Sequence, residues 1–187
     1  MKETDDMELV RQAQSGSVTA VGELYDRHRS RIFRYIRFKT GNKQVAQDLA
    51  SEVFLRMVDH LPDFEPRGVP FSAWLYRIAQ NLIIKQGQQV SKRPTVPLDF
   101  DANISQNGNN PALVVERQLE MEWIWQGLEN LDESQRDVII LRFITGLSLK
   151  ETAEVLGKTV AAVKTLQHRG ILALQATLKY TQKGQSK

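Results

Sequence analysis

The stretch from Gly146 to Leu178, GLSLKETAEVLGKTVAAVKTLQHRGILALQATL, leaves this chain few ways to fold. Ser148 and Glu151 stand at capping-box spacing, each able to satisfy an orphan amide of the other at the start of a helix. That helix runs to about Leu156, where Gly157 can adopt the left-handed conformation that ends a helix. Thr159 can then cap a second one. At about 100° per residue, Val160, Val163, Gly170, Ile171, Leu174 and Leu178 share one side of the second helix. Ala161, Thr165, His168 and Arg169 share the other, with Lys164 on the flank. An apolar stripe with a solvated back fits an ordinary helical hairpin. A short helix, a tight turn and a helix opening on small, hydrogen-bonding residues also fits a helix-turn-helix entering a major groove.

Charge separates these readings better than composition. The chain as a whole carries only +3. From Val138 to Lys187, however, eight Lys and Arg stand against two Glu, while Val114 to Asp137 nets −5. Basic charge gathered on a DNA-reading unit is what phosphate contact requires, although such a run also suits a solvated face.

Helical periodicity extends through most of residues 5–89. A first helix is expected at Asp6–Ser15 and a second from about Thr19 to Gly41. In the latter, RHRSRIFRYIRFK places Phe33, Tyr35 and Phe38 among arginines, as a nucleic-acid patch or, more simply, as core beside solvated charge. Asn42 caps a third helix, Lys43 to His60. LPDFEPRGVP, with three prolines and a glycine, is a loop. A fourth helix runs from Phe71 to about Gln86, with Phe71, Leu75, Ile78, Ala79 and Leu82 inward. Trp74, Arg77, Asn81, Lys85 and Gln88 lie on an adjacent face, a ring, cations and amides suited to single-stranded nucleic acid. Trp74 as a core edge is the plainer alternative.

Between Gly87 and Pro111 lie three prolines, two glycines and four asparagines with little apolar residue, the composition of a linker. The expected architecture is all-α: two small helical domains, 5–89 and 112–180, joined by a flexible linker, 90–111. In the second, an acidic helix and a helix from Asp132 to Phe143 precede the helix-turn-helix.

No strand signal, internal repeat or apolar run of membrane-spanning length appears. MKETDDMELV lacks a signal peptide's apolar centre. The chain has no cysteine, hence no disulfide, thiol nucleophile or thiolate metal site. His28, His60 and His168 are scattered, and neither a phosphate-cradling glycine loop nor a nucleophile elbow occurs. A cytoplasmic protein that is not an enzyme and needs no metal or cofactor is expected.

Four segments, GELYDRH, VAQDLASEVFLRM, PFSAWLYRIAQNL and LDESQRDVIILRFITGLSLKETAEVLGKTVAAVKTLQHR, resemble the bacterial RNA polymerase sigma factors, specifically the small two-domain extracytoplasmic-function (ECF) group. The likeness runs from Met7 to Leu178 apart from the linker. It implies a protein that binds the β′ and β subunits of core RNA polymerase and directs promoter recognition and opening. By that resemblance, Asp48, Leu49, Ser51, Glu52 and Phe54 dock on the polymerase. Phe64, Arg67, Trp74, Arg77, Asn81 and Lys85 hold the minus-ten strand, with a flipped base near the Asp63–Arg67 loop. Thr159, Ala161, Lys164, Thr165, His168 and Arg169 read the minus-thirty-five duplex. An anti-sigma partner is a further implication. Departures from the family pattern are Gln80 for Arg, Lys85 for Asp, QGQQ for a Tyr/Arg-rich run, Ser51 for Gln and Leu166 for Arg. The competing reading is a stand-alone helix-turn-helix regulator that binds DNA without polymerase.

Overall fold

The computed structural model describes residues 5–66, 68–90, 124 and 127–184, without the side chains of 88–90 and 178–184. Arg67, the segment assigned as linker and most of the acidic helix before Leu128 lie outside the described residues. Among the described residues there is no strand. The first four helices are α1 (Asp6–Gln14), α2 (Val18–Thr40), α3 (Lys43–His60) and α4 (Phe71–Val90).

Local chemistry sets their ends. The Ser17 hydroxyl accepts from the Ala20 amide at 3.3 Å, and Asn42 Oδ1 accepts from the Val45 amide at 3.0 Å. Each such cap contributes about 1 kcal/mol. Gly41, at φ 66°, supplies the left-handed residue that stops α2. Helix α4 outruns its expected end at Gln86 by a turn, because a helical glycine such as Gly87 costs only about 1 kcal/mol relative to Ala.

Helices α2, α3 and α4 pack on one another around Leu24, Ile32, Tyr35, Ile36, Val53, Met57, Phe71, Leu75 and Ala79. Of the three aromatics set among the arginines, Tyr35 and Phe38 are thus core and Phe33 is half-buried. Helix α1 lies on α2 through Leu9 and Val10 and through Asp6, whose carboxylate meets His28 at 2.8 Å and Arg27 at 3.2 Å. His28 stands edge-on to Phe71, 5.6 Å between ring centres. At the other end of α1, Gln14 Nε2 donates to the carbonyls of Leu61 and Phe64 at 3.0 and 2.8 Å. This pins the loop that precedes α4.

The C-terminal half contains α5 (Glu133–Ile139), a π-helical turn (Ile140–Ile144), α6 (Leu149–Leu156) and α7 (Val160–Gly184). Asp132 caps α5 through the Gln135 amide at 2.9 Å. The expected single helix from Asp132 to Phe143 widens instead at Ile140, whose carbonyl accepts from the Thr145 amide at 3.1 Å. Val138, Ile139, Ile140 and Leu141 are all buried. Four successive buried residues point to almost every side of a helix, so this segment is enclosed rather than laid on a surface. The capping box at Ser148 and Glu151 forms in both directions, at 3.2 and 2.6 Å. Gly157 ends α6 at φ 61°, and the Thr159 hydroxyl caps α7 through the Ala162 amide at 3.2 Å.

The two halves touch. Helix α6 packs along α4, and the π turn lies against α2. Lys39 of α2 donates to Asp137 of α5, which Gln80 of α4 also approaches at 3.4 Å. Burial pushes the Asp137 carboxyl up, against the pull of the Lys39 ammonium.

Candidate nucleic-acid interface

Helix α4 presents two faces because its apolar residues recur at helical spacing. Phe71, Leu75, Ala79 and Leu82 are buried, while Arg77, Asn81 and Lys85 are exposed along the adjacent strip. Trp74 sits between, half-buried. Its ring centre lies 4.6 Å from that of Phe64 and 5.4 Å from that of Phe71, tilted in both cases. It is therefore a core edge and a surface ring at once. The packed rings hold the indole in place, at little further entropic cost when a ligand stacks on it.

Beside Trp74 a cavity of about 400 Å³ opens between the 61–70 loop and α4. His60, Asp63, Phe64 and Arg77 line it, together with Glu154, which α6 brings from the other half of the chain. Its size falls within the range of about 300–1,000 Å³ usual for small-ligand sites. Aromatic walls with a cation and carboxylates at the rim suit a heterocyclic base, which offers a π-face and hydrogen-bonding edges. His60 and Glu154 were not legible as part of this site. Gln80 faces inward instead, accepting a hydrogen bond from the Tyr35 hydroxyl.

Helix α7 carries a second face. Ala161, Lys164, Thr165, His168 and Arg169 are exposed, and Val163 and Gly170 are buried against the neighbouring helices. Thr165 returns its hydroxyl proton to the Ala161 carbonyl at 3.1 Å, leaving the oxygen free to accept. Thr159 is occupied with capping and forms the edge of the face rather than its centre. Val160 departs from the expected apolar stripe. It is 39% exposed, since packing of α7 begins one turn later at Val163, against Val138 and Ala153. Arg142, on the π turn, donates to Gln167 at 2.9 Å and to the Leu147 carbonyl, fixing α7 against the turn before α6.

Helix α3 offers a third surface, whose makeup differs from the sequence expectation at two positions. Asp48 and Ser51 are exposed, and Glu52 is partly exposed in a 2.8 Å ion pair with Arg56. Leu49 and Phe54, in contrast, are 9% and 6% exposed. Both belong to the packed core, and Phe54 meets Tyr25 of α2 edge-on at 4.7 Å. Leu55 and Val58 are the outward apolar residues, at 62% and 49%. The helical wheel carries that signal: Asp48, Ser51, Leu55 and Val58 recur at three- and four-residue steps.

Among the described residues, no three His, Asp or Glu side chains gather as a metal site, and no helix is long and apolar enough to cross a membrane.

Residues 24–91 match the family Sigma-70 region 2, and residues 127–176 match Sigma-70, region 4. The ECF RNA polymerase sigma factor SigW of Bacillus subtilis is 32% identical over 180 residues, covering 91% of this chain and 95% of that protein. The ECF RNA polymerase sigma factor BldN of Streptomyces coelicolor is 36% identical over 172 residues, 92% of this chain. Against BldN the chain spans 65% of the relative's length. In three dimensions the chain is similar to CnrH in complex with the cytosolic domain of CnrY, with a TM-score of 0.73 and 29% identity over 95% of this chain and 99% of that one. The sigma factor RpoE from Bartonella quintana, in complex with the anti-sigma factor NepR, shares the fold at a TM-score of 0.67 and 20% identity over 87% of this chain and 98% of that one. With both sigma regions in order and a relative of this identity matched almost end to end, the chain belongs to the ECF RNA polymerase sigma factors.

Proposed function

We propose that the chain directs promoter recognition and opening with core RNA polymerase through three separate helix faces. Residues 5–89 and 112–180 act as the two units, and 90–111 as the tether between them. The α3 face of Asp48, Ser51 and Glu52, joined by the apolar Leu55 and Val58, docks on a basic, partly apolar helix of the β′ subunit. Leu49 and Phe54 shape that face from beneath. Phe64, Trp74, Arg77, Asn81 and Lys85 receive the non-template strand of the minus-ten element, with a flipped base in the neighbouring cavity. Arg67 would belong to the same loop.

In α7, Ala161, Lys164, Thr165, His168 and Arg169 enter the major groove of the minus-thirty-five element, with Thr159 at the rim. The C-terminal unit also meets the β subunit. The protein works in the cytoplasm as a binding protein, without catalytic chemistry or a cofactor of its own, under the control of an anti-sigma partner.

The observation that carries this reading is the pairing of two DNA-type faces on one chain. One is an aromatic strip beside a base-sized cavity on α4; the other is a small, polar, basic face on α7. Neither suffices alone. An aromatic stack returns about 1–3 kcal/mol per base, comparable to the few kcal/mol lost on unstacking each step. If the C-terminal unit neutralises about four phosphates, its affinity falls on the order of a hundredfold between 50 and 200 mM salt. Polymerase and the tether make the second contact effectively intramolecular.

Run-off transcription with core polymerase tests the reading. Trp74→Ala should impair strand opening more than closed-complex formation, and Arg169→Ala the reverse. Equal effects on both steps would overturn the division of roles, and promoter opening by the chain without polymerase would favour a stand-alone regulator.

A further inference from the structure

Helix α1 ends against the turn that carries Phe64. The Gln14 side-chain amide donates through one nitrogen to two carbonyls there, Leu61 at 3.0 Å and Phe64 at 2.8 Å. These are the first and last residues of a single tight turn, closed by the Phe64 amide donating to the Leu61 carbonyl at 3.1 Å. Asp63, inside the turn, and Phe64, at its end, line the cavity beside Trp74. The Phe64 ring lies 4.6 Å from that of Trp74 and 5.6 Å from that of Phe71. The start of α1 reaches the same rings by a second route: Asp6 meets His28, which stands edge-on to Phe71. A nine-residue helix, about 13 Å long, thus touches the ring cluster from both of its ends.

We propose that α1 sets the shape of the base cavity and that Gln14 is its positioning residue, holding the 61–64 turn in place before a base arrives. The proposal rests on the assignment of this cavity to a flipped minus-ten base. Helix α1 precedes residues 24–91, so the element that sets the cavity lies ahead of the segment matched to Sigma-70 region 2.

The division of labour within the loop is physical. Pro62, at the second position of the turn, fixes a backbone angle and so the shape of the turn. It does not fix where the turn sits relative to α4. A primary amide is suited to that task, since one nitrogen offers two protons to two carbonyls. A turn released from it must be ordered again when the base enters, and that ordering is subtracted from binding. Gln14 is itself exposed, so replacing it removes little buried area and acts on the loop rather than on the fold.

The test uses the full-length chain assembled with core polymerase on a promoter that this holoenzyme transcribes. Single abasic sites at successive non-template positions of the minus-ten element first locate the captured base, as the position where wild type loses most opening. Gln14→Ala and Gln14→Glu lack the donors. Each should slow opening of the intact promoter about fivefold, the worth of one net hydrogen bond, with closed-complex affinity unchanged. On the promoter abasic at the captured position both should open as wild type does, because no base is left to be positioned. Gln14→Arg, which can again donate to both carbonyls, should recover most of the rate. Wild-type opening by Gln14→Ala, or an equal loss on intact and abasic promoters, would overturn the proposal. A wild type indifferent to every abasic site would overturn the base cavity on which it rests, a failure distinct from the first two.

Discussion

Arg142 donates through Nε to the Gln167 side chain, 2.9 Å away, and ties the π turn to the middle of α7. Its second bond, to the Leu147 carbonyl, holds the residue just before the Ser148 cap. One guanidinium thus sets α7 against the start of α6. A hydrogen bond to a charged group contributes about 1.5–3 kcal/mol. Arg142→Met should therefore lower the stability of the C-terminal half by about 2 kcal/mol. Gln167→Ala removes one of the two bonds and should cost about 1 kcal/mol. Chemical denaturation of the two variants checks the order, and a larger loss from Gln167→Ala would contradict it.

Gly170 permits the close approach of α7 to α5. A Cβ built there would lie 2.9 Å from Ile139 Cγ1, an atom fixed near the backbone and unable to swing aside. Alanine gains about 1 kcal/mol of helix propensity over glycine, but overpacking a tight contact costs about 1–3. Gly170→Ala should accordingly destabilise by about 1 kcal/mol, read as a lower melting temperature. A higher melting temperature would show that α5 and α7 can separate without loss.

The Asp6 carboxylate staples α1 to α2. The hydrogen bond from His28 is the largest influence on it and, with Arg27, holds its pKa below the ordinary carboxylate value despite partial burial. A group whose folded pKa is depressed contributes fully above its unfolded pKa and loses that contribution as pH falls through the folded one. Acidification below the usual aspartate range should therefore loosen α1 before the α2–α4 core. Amide exchange of α1 residues should rise first, and Asp6→Asn should show fast exchange already near pH 7. Unchanged α1 protection in Asp6→Asn would mean that Leu9 and Val10 hold the helix alone.

The parts of this fold that could be read in the sequence are those with local causes. Asn42, Asp132, Ser148, Thr159 and Gly157 act within three residues of themselves, so their caps and stops were legible. The polar strip of α4 and the exposed face of α7 follow from a single period in the same way. What escaped was set by distant neighbours. Phe54 is a docking residue by resemblance until Tyr25 of α2 is placed against it, and Val160 reads as core until α7 is seen to extend past its packing. The Lys39–Asp137 pair leaves no periodic trace at all. Gln80 shows the same limit from another side: it stands out in the sequence as a departure from the family pattern, but nothing local says that the fold turns it toward Tyr35 and Asp137.

On the proposed docking of α3 to polymerase, the burial of Leu49 and Phe54 and the exposure of Leu55 and Val58 predict different effects for the two pairs. Leu55 is 62% exposed, so truncating it removes little that the folded chain buries. Leu49, at 9%, is packed, and Leu→Ala at such a site costs about 2–5 kcal/mol through lost burial and the cavity left behind. An apolar anchor at the centre of an interface is worth about 1–2 kcal/mol, roughly tenfold in affinity. Leu55→Ala should therefore weaken binding to core polymerase about tenfold with a wild-type melting temperature. Leu49→Ala should lower the melting temperature, and lower polymerase affinity only as far as α3 is disordered. Titration of core enzyme with labelled variants, alongside thermal unfolding of each free chain, separates the two effects. If Leu55→Ala bound core polymerase as wild type does, the docking face would have to lie elsewhere on α3 or on another helix.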